Sequence, residues 1–71
     1  MKPGKYDVFY AATILKHTQP SAMCSGIMVG KVFNTAQEMW EACTASVKQS
    51  SEPGTDVVIT AMSVLSFEEL P

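Results

Sequence analysis

Residues 34–49, NTAQEMWEACTASVKQ, carry the one strong helical signal of the chain and decide its fold. Thr35 and Glu38 stand three apart in the T-x-x-E pattern of a capping box, where each side chain satisfies an orphan backbone N–H at a helix start. Ala36, Met39, Trp40, Cys43 and Val47 then recur at helical spacing and make one apolar stripe, with Trp40 read as part of the core. Ser50-Ser51-Glu52-Pro53-Gly54 ends the helix and turns the chain. A single amphipathic helix needs a sheet to cover, and the segments on either side of it read as strands.

Upstream, residues 6–17 (YDVFYAATILKH) are rich in β-branched and aromatic residues and predict a long strand. One face carries Tyr6, Val8, Tyr10, Ala12 and Ile14, the other Asp7, Phe9, Ala11, Thr13 and Leu15. Both are apolar in the middle, as in a central strand covered on both sides. Thr18-Gln19-Pro20-Ser21 predicts a turn, and a second strand follows within residues 22–33. Gly26 and Gly30 inside it predict a bulge, a strong twist or close backbone approach. They match no phosphate-loop pattern. Downstream, residues 55–66 predict a third strand, with Val58, Thr60, Met62 and Val64 alternating onto one face. Ser66-Phe67-Glu68-Glu69 repeats the S-x-x-E pattern and predicts a single helical turn.

The expected architecture is one α+β domain over residues 1–71, a three-stranded β-β-α-β sheet with one helix on one face. Placing the doubly apolar first strand in the centre gives the order 2-1-3. The other face of the sheet then exposes Phe9, Leu15, Val58, Met62 and Val64, a candidate interaction surface.

Composition points the same way. Of the 71 residues, 46% are apolar and only 17% charged, against roughly 25% charged in ordinary domains. A chain this short buries only about 60% of its unfolded surface. Apolar surface is therefore expected to end at a contact with another chain. The net charge is −2, with five lysines and no arginine. That balance argues against a nucleic-acid binder, which needs a basic footprint. No signal-peptide pattern and no apolar run of about 20 residues is present, so a cytoplasmic location and no membrane span are expected.

No residue set carries chemistry. His17, the sole histidine, reads as a turn residue, and Cys24 and Cys43 read as reduced small hydrophobes. Cys24 and His17 brought together across the hairpin would be the sharpest enzymatic arrangement, but it lacks an orienting third group. Asp7 and Asp56 are expected at opposite ends of the sheet, too far apart for paired-carboxylate chemistry. No catalytic, cofactor or metal site is assigned.

Three stretches, KYDVFYAATIL (5–15), VGKVFNTAQEMWEA (29–42) and VVITAMSVLSFEEL (57–70), resemble a group of small bacteriophage and prophage proteins. The resemblance covers nearly the whole chain and brings no functional residues with it. It implies an accessory protein that binds a host or phage protein. The expected function is a non-enzymatic protein-interaction module, phage-derived and self-associating, with a homodimer or another protein as partner. The alternative is a nucleic-acid-associated accessory protein stacking bases on Tyr6, Phe9 or Tyr10 of an open sheet.

Overall fold

In the computed structural model, which describes residues 1–70, the chain runs β1 (Gly4–Lys16), β2 (Gln19–Phe33), α1 (Ala36–Gln49) and β3 (Thr55–Glu69). The sheet order is β2-β1-β3, and β1 is antiparallel to both neighbours. The β-β-α-β architecture and the central first strand agree with the sequence reading. The molecule is narrow, 45 × 17 × 16 Å, because its strands are 13 to 15 residues long. A 14-residue helix reaches only about 21 Å, roughly half the length of the sheet.

The hairpin is tighter than the sequence predicts. Only His17 and Thr18 separate β1 from β2, both at positive φ (53° and 63°), the pairing a two-residue primed turn demands. Thr18 is β-branched, so this conformation is strained, and its hydroxyl donates to the His17 carbonyl at 2.6 Å. Gln19 and Pro20 already belong to β2. Pro20 pairs with Leu15 beside a register shift on an edge strand, where its missing N–H is tolerated.

The helix starts where the capping box places it. Thr35 Oγ1 accepts from the Glu38 N–H at 3.1 Å, and Glu38 Oε2 accepts from the N–H of Asn34 at 2.8 Å, one residue earlier than the usual reciprocal bond. At the other end the Ser50 and Ser51 hydroxyls donate to the Val47 carbonyl, satisfying an orphan acceptor. The buried stripe is narrower than expected, consisting of Met39, Cys43 and Val47. Trp40 lies on its flank, 46% exposed, and is not a core residue.

The helix buries one face of β1. Tyr6, Val8, Tyr10 and Ala12 join Phe33 and the three helix residues in the core, with Cys24, Met28, Val57 and Ile59 packed around them. Gly26 has the role of close approach. A Cβ there would lie 2.6 Å from the Tyr10 hydroxyl, which in turn shares a 3.0 Å hydrogen bond with Ser46 Oγ. Gly30 has the other role, a bulge at φ +66°.

The end of the chain differs from its sequence pattern. Residues 66–69 form no helical turn; they extend β3 to Glu69, paired with residues 4–7. The Phe67 ring packs on Tyr6, centroids 4.8 Å apart, and fills the space that a side chain at Gly4 would need. That tertiary contact outweighs the local cap signal.

Candidate functional site

The helix leaves the second face of the sheet without a covering layer. Along β1 that face carries Asp7, Phe9, Ala11, Thr13 and Leu15, all partly buried by their lateral neighbours alone. Cross-strand pairing sets Phe9 between Ile27 and Ser63, Ala11 between Ser25 and Ala61, and Thr13 between Met23 and Val58. The exposure of the edge residues is high: Met23 82%, Ile27 60%, Val58 46%. The three central rows, those of Phe9, Ala11 and Thr13, carry no charge. Lys5, Asp7 and Glu68 mark one end, and Asp56, opposite Leu15, marks the other.

Three of the five residues assigned from sequence, Phe9, Leu15 and Val58, lie together on this face. Met62 and Val64 do not. The register of β3 skips one residue between Ala61 and Ile59 and another between Ser66 and Val64, so Thr60 and Leu65 are extra residues. A single inserted residue reverses the side-chain alternation beyond it. Met62 consequently pairs with Tyr10 and Val64 with Val8, on the helix side, where Met62 Sδ lies 3.8 Å from Cys43 Sγ. The strongest contributor that the sequence reading missed is Ile27, and Met23 stands beside it on the same strand. Their spacing at 23, 25 and 27 carried the signal, since alternate residues of a strand share a face.

Asp7 organises the charged end. Its Oδ1 accepts the Gly30 N–H at 2.8 Å and its Oδ2 accepts the Ser66 hydroxyl at 2.7 Å, so one carboxylate on the central strand ties both edge strands at their irregular points. Those bonds, the Ser66 hydroxyl first and the Gly30 amide second, with a smaller contribution from the Lys5 charge, hold the Asp7 carboxyl below its ordinary range.

The chemistry-bearing side chains are kept apart. Cys24 pairs with Ala12, while His17 sits in the turn five residues further along, about 17 Å at strand rise. The register therefore overturns direct Cys24–His17 pairing. Cys24 and Cys43 are both free thiols, and burial pushes the Cys43 thiol above its usual value. Asp7 and Asp56 lie at opposite ends of β1, as expected. Tyr6 and Tyr10 are buried beneath the helix, which leaves Phe9 as the sole member of the proposed base-stacking set on the open face. Two shallow grooves flank the helix. One of about 420 Å³ runs between β2 and α1 past Met28, Phe33 and Ala42; one of about 350 Å³ lies near Ile14 and Ser51.

Among the described residues, no group of three or more His, Cys, Asp or Glu side chains is placed to hold a metal ion, and no helix is long and apolar enough to cross a membrane. Comparison with known proteins finds no matching family model, no matching curated protein and no matching solved structure.

Proposed function

We propose that this protein is a non-enzymatic interaction module that presents the uncovered face of its sheet to a protein partner. The observation that carries this reading is the distribution of polarity on that face. Phe9, Met23, Ile27 and Val58 surround small neutral residues in three uncharged central rows, with Asp7 bordering them on one side and Leu15 and Asp56 on the other. An apolar centre with a polar rim is the anatomy of a recognition surface. Burial of a side chain such as Ile27 on association is worth about 1.5–3 kcal/mol when complete, which gives a partner a driving force that water does not offset.

Site-specific photo-crosslinking tests the assignment. A benzophenone amino acid replaces Ile27 on the open face or, as a control, Glu41, which lies on the helix side away from the buried stripe. Cross-linked adducts in the native cell extract are expected from position 27 and not from position 41. Equal yields from both positions would remove the basis for the proposal.

A further inference from the structure

We infer that the occupant of the open face is a second copy of this chain, stacked sheet on sheet as a two-fold dimer with four layers, helix–sheet–sheet–helix. This rests on the reading of that face as the contact surface. The first support is its area. Three strands spaced about 4.8 Å apart make a face about 14 Å wide. Over the 45 Å length of the molecule that is about 600 Å² per copy, so two copies bury about 1,200 Å², the lower end of the range for stable complexes.

The second support is relief. Ser25, Ala11 and Ala61 form a row of small residues straight across the sheet. The adjoining row on one side carries the larger Phe9 and Ile27. Ridge and trough are therefore next to each other on one surface. A two-fold axis lying across the strands between these rows places the Phe9–Ile27 ridge of each copy over the small-residue trough of the other. The surface is complementary to itself, as an isologous contact requires. No like charges meet, because the three central rows are neutral and the axis sets Asp7 of each copy against Thr13 of the other. Two such sheets pack about 10 Å apart, and faces this narrow overlap fully only when their strand directions are close to parallel, well inside the roughly 30° limit of aligned packing.

The strand edges are poorer routes to self-association. Antiparallel pairing of β3 with its own copy sets Asp56 against the acidic end at Glu68 and Glu69. The outer edge of β2 is interrupted by Pro20 and by the bulge at Gly30, two devices that blunt edge pairing.

Light scattering across a concentration series, with circular dichroism as the folding control, decides the matter. The wild-type chain is expected at twice its chain mass. Thr13→Glu, which the two-fold sets against the Asp7 row of the second copy, and Ile27→Lys, at an exposed position, place an unfavourable charge within the stacked contact. Each is expected to weaken dimerisation about a hundredfold, a hot-spot-sized effect, while the circular dichroism spectrum is unchanged. A single-chain mass at every concentration overturns the dimer, and so does a dimer that survives both substitutions, which is the result for edge pairing. If the cross-linker at position 27 captures a different protein while the chain is monomeric, the face remains the contact surface and self-association fails.

Discussion

The two faces of β1 differ in what holds them in place. Tyr6, Val8, Tyr10 and Ala12 are at most 9% exposed and are sealed by a helix from the same chain. Phe9, Ala11, Thr13 and Leu15 alternate with them on the same backbone, yet only neighbouring strands shield them. Helix-side residues contribute to folding, because their burial is complete in the single chain. Open-face residues are only partly buried in the single chain, and the proposed contact would bury what remains exposed. Under the proposed reading of the open face, folding and binding fall to alternate residues of one strand, and substitutions can separate them.

The sharpest contrast comes from paired substitutions. Val8→Ala removes methyl groups from a fully buried site and is expected to destabilise the chain by about 2–3 kcal/mol. Ile27→Thr keeps a β-branched side chain at an exposed edge position and is expected to change stability by about 0.5 kcal/mol or less. Urea titration in dilute solution measures both. Equal losses would erase the distinction between the faces.

Gly26→Ala probes the helix side from the neighbouring strand. The new methyl would press on the Tyr10 hydroxyl, which is held by Ser46, and about 1–2 kcal/mol of stability is expected to be lost through the forced shift. An unchanged urea midpoint would show that Tyr10 yields freely and that Gly26 answers another need.

The smallest effect is expected from Asp7 on the open face. Its carboxyl is held below the ordinary range by Ser66 and Gly30, so the folded state favours its charged form. The resulting stability is present above the unfolded value of about 3.9 and fades as pH falls through the lower folded value. Asp7→Asn is expected to flatten that acid limb of the stability profile. A profile that keeps its slope would mean that the two hydrogen bonds do not distinguish the protonation states.

The sequence was most legible where one residue acts on its near neighbours. Thr35 and Glu38 mark the helix start because capping bonds span a single turn, and Tyr6 through Leu15 read as the central strand because both faces are apolar. The failures involve distance. Thr60 is a bulge, yet nothing in residues 58–62 (VITAM) distinguishes it from a regular strand residue, and that one residue moved Met62 and Val64 off the candidate surface. Ser66 to Glu69 carry a helix-cap pattern but form strand, because Phe67 finds Tyr6 and the empty space above Gly4 at the far end of the chain. Trp40 fits the stripe by spacing, but the short helix on a long sheet leaves it at the flank.

That last-to-first pairing also sets an order of assembly. β1 and β2 are joined by two residues, so their hairpin is a local event; a hairpin of this kind closes in about 1–10 μs. The second side of β1 must wait for β3, whose pairing joins the fourth residue to the sixty-ninth and carries the loop-closure cost of nearly the whole chain. During synthesis the central strand is therefore an edge strand for as long as the ribosome is still making β3. In that interval its free edge is open to any neighbouring nascent chain, and arrival of the residues around Phe67 ends the exposure.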